Sequence, residues 1–200
     1  MPVSRETGIV EARCEMSDRD CTIAELDGSA LTPARIAQID AIFFEASGRT
    51  FAPGAEREAF RERWLGRYLR GGTDVVLLAM DAGLNVAGYL VGALEDPSRQ
   101  QRFADIPYFR GTFRDLCSRY PAHLHINIAP AFRSRGVGAQ LITAFAERIS
   151  DAGVPGMHVV TGKASRNVRF YMRCGFSQQR DAVSDTSEIV FLGRSLIAQR

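Results

Sequence analysis

Residues 123–138 read HLHINIAPAFRSRGVG, and this stretch limits the fold more than any other in the chain. An apolar strand ends at Pro130, a short basic loop follows, and Gly136 and Gly138 open a helix. The stripe of that helix, Leu141, Ile142, Phe145 and Ile149, keeps helical spacing until Asp151-Ala152-Gly153 closes it. A strand that delivers a basic, glycine-bearing turn to a helix N-terminus suits a phosphate, because free N–H groups and the positive end of the helix dipole point the same way. A Walker loop needs a longer glycine spacing followed by Lys and Ser or Thr, and a dinucleotide fingerprint needs a third glycine where Leu141 stands. Neither describes Gly136-Val137-Gly138.

The rest of the chain reads as support for that segment. Residues 1–20 are polar and weakly patterned and are read as a loose arm; residues 21–200 are read as one α/β domain, since no repeat or linker divides them. Cys21–Leu26 reads as a first strand. Thr32-Pro33 is an N-cap followed by proline at the first helical position, and the helix it starts carries Ile36, Ile39, Ile42 and Phe43 on one stripe to about Ala46. A second helix follows Gly54, with Phe60, Trp64, Leu65, Tyr68 and Leu69 on one side and its stop at Gly71-Gly72. Asp74–Met80 and Val86–Leu94 form a hairpin across the turn residues 81–85. Short helices anchored by Phe103, Tyr108, Phe109, Phe113 and Leu116 are expected over 95–120. A strand at 156–161, a helix at 165–174 stopped by Gly175 and a final pair of strands over 176–194 complete the order.

Composition removes several function classes. The 25 lysines and arginines against 23 aspartates and glutamates leave a formal charge of +2, so neither nucleic acid nor an anionic membrane is expected as a partner. The four cysteines have no CxxC spacing, and neither a signal-peptide pattern nor a bilayer-length apolar run is present, so a soluble protein of the reducing cytoplasm is expected.

The segment Arg133-Ser134-Arg135-Gly136-Val137-Gly138 resembles the Arg/Gln-x-x-Gly-x-Gly signature of the GNAT acetyltransferase superfamily, whose turn amides wrap the pyrophosphate of coenzyme A. Arg166-Asn167-Val168-Arg169-Phe170-Tyr171-Met172-Arg173-Cys174-Gly175-Phe176 resembles the second signature, a helix ending in Phe-Tyr-x-x-x-Gly-Phe. The resemblance is strongest over 121–177 and extends over 21–195. It implies a mixed, mostly antiparallel sheet with a splayed parallel central strand pair and helices on both faces. It further implies acetyl-CoA as co-substrate without a metal, the pantetheine arm paired like an added strand with main-chain groups of Ile126, Asn127 and Ile128, and a turn at 133–138 holding the pyrophosphate. Asn167 is a further contact, because the amide usual in the family is displaced here, with Ala164 in its place. The 121–127 segment and Gly156-Met157-His158 also look like acetyltransferase-like domains found with some protein O-N-acetylglucosaminidases and their stand-alone bacterial relatives, in which an acidic residue often occupies the place of Asn127.

By the same resemblance Tyr171 protonates the departing thiolate. The acceptor end is read from the residues: His123, His125 and Asn127 share one face of a strand, with His158 on the strand beside it. A histidine can take a proton near neutral pH, so His125, nearest the opening, is the candidate base or acceptor-positioning group; core histidines and a histidine zinc site are the competing readings. The resemblance implies an acceptor amine of a small molecule or peptide in a pocket lined by the first two helices and the segment before the key strand, with Phe43, Glu45, Trp64, Tyr108 and Phe109 as places to look. Monomer and homodimer are both open. The alternative to catalysis is a module that binds coenzyme A, a peptide or a sugar without turnover.

Overall fold

Seven strands form one sheet in the order β1-β2-β3-β4-β5-β7-β6. They are β1 Thr22–Leu26, β2 Asp74–Met80, β3 Val86–Ala93, β4 Ala122–Ile128, β5 Gly156–Gly162, β6 Gln178–Ser184 and β7 Ser187–Ser195. Every neighbouring pair is antiparallel except β4 and β5. The computed structural model describes residues 21–70, 74–184 and 187–197; the arm expected at 1–20 and the Gly71-Gly72 stop lie outside them. Among the described residues no helix is long and apolar enough to cross a membrane.

Local chemistry accounts for the elements. Helix α1, Pro33–Ser47, starts where the Thr32 hydroxyl accepts from the Arg35 N–H at 3.3 Å, and it buries Ile39, Ile42 and Phe43. In the β2–β3 hairpin the Asp81 carboxylate accepts from the Asn85 N–H at 2.8 Å, and every residue of β3 is buried because helices cover both faces of the sheet. Helix α2, Ala55–Trp64, ends earlier than its apolar pattern suggests and passes into a 3-10 turn at Gly66–Tyr68. Leu65 and Tyr68 are both fully buried, and the tighter turn places residues three apart on the same side.

The two faces of the sheet carry different covers. One apolar layer joins α1, Leu65, Tyr68 and the segment before β4 with its helices α3, Pro107–Arg110, and α4, Arg114–Arg119. The opposite layer joins α5, Val137–Asp151, and α6, Asn167–Arg173, through Leu141, Phe145, Ile149, Tyr171 and Phe176. Between them β4 supplies Ala122 and Leu124 to the α5 side and His123 to the α1 side, as strand alternation requires.

Candidate active site

The parallel pair parts almost at once. β4 meets β5 only at Ala122↔Met157 and His123↔His158, whereas β3 stays paired with β4 from Ala93↔His123 to Gly88↔Ile128. Beyond His123 the β5-facing edge of β4 therefore borders a gap. The Ala129 N–H bonds the Ala87 carbonyl at 2.9 Å, which fixes the parity: main-chain groups of Asn127 point to β3, and those of Ile126 and Ile128 point into the gap. Of the three residues expected to offer backbone to an added strand, Ile126 turns both of its main-chain groups to the gap and Ile128 keeps its N–H for it. Asn127 turns its side chain to the α1 face, where its amide Nδ2 donates to the Tyr89 hydroxyl at 2.7 Å. The Arg133 Nε donates to the Ile128 carbonyl at 3.0 Å, so the basic turn is tied to the same edge.

That turn is exposed throughout Arg133–Gly136. After a 3-10 turn at Pro130–Phe132, Ser134 takes φ 60° and Gly136 φ 84°, and α5 begins at Val137 with no acidic residue in its first turn. A Cβ built on Gly136 meets nothing within 4 Å among the described residues, so the glycine answers to the left-handed backbone and leaves open space above the turn. Gly138 has a different partner from the one its motif suggests: its Cβ would lie 3.0 Å from the Phe170 Cζ, so it lets α5 and α6 close together. Arg133 and Arg135 have no carboxylate partner among the described residues, and the Arg135 guanidinium lies 5.7 Å from the Phe132 ring. Open turn amides, two guanidiniums with no carboxylate partner among the described residues, and a strand edge that keeps the Ile126 main-chain groups and the Ile128 N–H open fit a ligand that joins a pyrophosphate to an extended, amide-bearing arm. Asn167 is the first residue of α6, exposed, with its N–H on the Ser165 hydroxyl at 3.2 Å.

Tyr171 and His125 sit on opposite faces of the sheet. Tyr171 belongs to the cluster that holds Ile126, Ile128 and Val159 on the two sides of the gap, with the Phe170 and Phe176 rings 5.2 and 5.5 Å away. Its hydroxyl has no hydrogen-bond partner among the described residues. Burial, with a smaller effect of Cys174, pushes its ionisation up, so the phenol keeps its proton across any working pH. His125 is half-buried, its ring 5.6 Å from that of Trp64 and 5.4 Å from that of Tyr68. Burial first, then the charge of Arg67, lowers its pKa to about 4, so the imidazole is neutral at pH 7.

The other two histidines are core residues. The Tyr68 hydroxyl hydrogen-bonds His123 Nε2 at 3.0 Å, and the His158 Nδ1–H donates to the Tyr120 carbonyl. Their rings stack 5.6 Å apart within a wall that includes Phe103, Phe109 and Phe191. Burial keeps both neutral, His158 at about 4 and His123 well below its ordinary value. Among the described residues no group of three His, Cys, Asp or Glu is arranged to hold a metal ion.

On the His125 face two cavities, of about 790 and 330 Å³, share Arg63, Trp64, His125, Thr161 and Ser187 as walls. Phe43 and Asn127 line the larger and Tyr108 the smaller. Glu45 points to solvent instead, and Phe109 is 3% exposed within the core. Sequence reading missed Arg63, Phe51, Phe60, Thr161 and Ser187, which come from four separate elements or loops. Only Thr161 left a trace, as the first polar residue after the apolar run of β5.

The family model described as an acetyltransferase (GNAT) domain matches residues 82–178. The crystal structure of SsHAT is similar over 87% of this chain and 98% of its own, with 21% identity and a TM-score of 0.62. A GNAT superfamily phosphinothricin acetyltransferase from Sinorhizobium meliloti, solved in complex with AcCoA, covers 88% of each chain at 18% identity and a TM-score of 0.56. A GCN5-related N-acetyltransferase from Kribbella flavida covers 87% of this chain and 98% of its own at 15% identity and a TM-score of 0.55.

Proposed function

We propose, on the match of the acetyltransferase (GNAT) domain model to residues 82–178 and on the site's geometry, that the chain is a GNAT-superfamily N-acetyltransferase that moves an acetyl group from acetyl-CoA directly to an amine. The observation that carries the proposal is the early parting of β4 from β5 beside an open, basic glycine turn. Turn residues 133–138 hold the pyrophosphate through backbone N–H groups and the two arginines, and Ile126 and Ile128 hold the amide-bearing arm along the strand edge. Acetyl-CoA supplies the activated acyl group as a thioester. Asn167 is the further contact, at the start of α6.

The placement of the acid, Tyr171, and the acceptor-positioning group, His125, on opposite faces gives the reaction its direction. The amine enters from the α1 side, where the neutral His125 lone pair and the Thr161 and Ser187 hydroxyls accept its hydrogen bonds. The C–N bond forms as the C–S bond breaks: the proton that the newly bonded nitrogen loses passes to water in the open cavity on the acceptor side, Tyr171 gives its proton to the departing sulfur, and the phenolate regains one from solvent. The low basicity of His125 suits it to orient a free amine and not to strip an ammonium ion, so the amine reacts in its neutral form. Asn127 cannot serve as a base. It orients, through its tie to Tyr89.

Thermal denaturation with and without acetyl-CoA, followed by thiol release against amines, tests this reading. Stabilisation by the cofactor together with release that depends on an amine is the expected result. No stabilisation at saturating acetyl-CoA contradicts the cofactor assignment, and stabilisation without release on any amine contradicts the catalytic one.

A further inference from the structure

The acceptor basin carries a cation that its surroundings do not balance. Asp105 faces two guanidiniums, those of Arg63 and Arg67. Arg67 takes both carboxylate oxygens, Nη1 on Oδ1 at 2.9 Å and Nη2 on Oδ2 at 2.7 Å, a bidentate fork. Arg63 is left with its Nη2 on the Asp105 main-chain carbonyl and its Nε 3.4 Å from Oδ2. That Nε is buried and lacks a hydrogen bond in acceptable geometry. No other carboxylate pairs with Arg63 among the described residues; Glu62, its neighbour, is engaged by Arg70, and Glu56 on the same basin by Arg49.

Arg63 is also held in place and directed at the site. Its guanidinium lies 5.1 Å from the Trp64 ring, whose other contact is the His125 ring. Arg63, Trp64 and His125 line both cavities. The remaining walls include Phe43, Phe51, Phe60, Asn127 and the mutually paired Arg49 and Glu56 in the larger cavity, and Tyr108, Val160 and Ile189 in the smaller.

We infer that the acceptor is an amine bearing an anionic group on an apolar body, with Arg63 anchoring the anion while the amine lies at His125. This deepens the N-acetyltransferase reading and rests on it. The Arg63 side chain is 40% exposed, and the part of its guanidinium not turned to Asp105 can meet a carboxylate that matches it in shape as well as charge. A purely cationic acceptor, such as a polyamine, would meet the positive wall and gain nothing from it.

Matched pairs of amines that differ only in the carboxylate test the inference: L-phenylalanine against 2-phenylethylamine, and L-leucine against 3-methylbutylamine, each followed by thiol release. The carboxylate-bearing member of each pair should show a kcat/KM larger by about 10- to 100-fold, the range for a hydrogen bond to a charged group. Arg63→Gln should raise KM for that member by a similar factor and shift the KM of the matched decarboxylated amine far less, so that the preference within the pair collapses; Arg63→Lys should recover part of the preference. Should Arg63→Gln fail to fold, the matched pairs alone decide. Equal or better turnover of the uncharged amines overturns the acceptor class and leaves the acetyltransferase reading standing. Absence of turnover with every amine, despite stabilisation by acetyl-CoA, overturns both.

Discussion

The turn at 133–138 and the basin around His125 flank the same strand, yet they are built in opposite ways. The turn is contiguous, exposed and made of backbone: Ser134 and Gly136 in left-handed conformations, the N-terminus of α5, and the free edge of Ile126 and Ile128. The basin is discontinuous, half-buried and made of side chains drawn from α1, α2, β4, β5 and β7. A ligand common to a whole family can be held by groups every residue possesses. A ligand particular to one chain needs side chains, and those sit where insertion or substitution changes little else.

That contrast is open to attack, and the largest effect should come at the point where the two regions meet. Tyr171→Phe removes a hydroxyl that has no hydrogen-bond partner among the described residues, so melting temperature and acetyl-CoA affinity should hold while kcat falls by about 10²- to 10⁴-fold, the range for general-acid catalysis. A fall in affinity instead would place Tyr171 in binding.

Acid should act on the histidine side alone. His158 ionises near 4 in the folded chain against 6.5 when free, so between those values the unfolded chain binds the extra proton. The stability contributed is therefore present above pH 6.5 and lost as pH falls toward 4, by about 3 kcal/mol for this residue, and His123, also lowered, adds in the same direction. Urea denaturation at pH 7 and pH 4.5 measures the loss, and His158→Phe should reduce it while His123 and His125 sustain the remainder. The smallest effect separates the two glycines. Gly138→Ala presses a methyl group toward Phe170 and should cost about 1 kcal/mol of stability, with acetyl-CoA binding retained.

Legibility in the sequence followed the same division. Thr32-Pro33, the β2–β3 hairpin and the turn before α5 are short-range patterns, each decided by residues within one or two turns of chain, and the structure has them where expected. The parallel pair and its splay came through family resemblance, since no local pattern tells which strands will be neighbours. Long-range packing hid the rest. α2 stops at Trp64 because Leu65 and Tyr68 are drawn into the core. The reason for Gly138 is a ring more than thirty residues away. The three histidines look alike on two neighbouring strands, but His125 lines the two acceptor cavities while Tyr68, Tyr120 and the phenylalanine wall enclose the other two. Arg63 lies off the apolar stripe of α2, and its role depends on Asp105, 42 residues away, whose carboxylate oxygens both accept from Arg67.

The claim on which everything else depends is that a backbone turn holds coenzyme A. The direct measurement is the shift in melting temperature on titrating acetyl-CoA into the native chain and into Gly136→Val, whose side chain opposes the 84° φ and fills the open space above the turn. The native chain should gain stability that grows with the logarithm of ligand, about 2.7 kcal/mol at a hundred times Kd. The variant, still folded, should gain little or none at the same concentrations. Equal stabilisation of both chains, or of neither, would contradict the assignment of the turn.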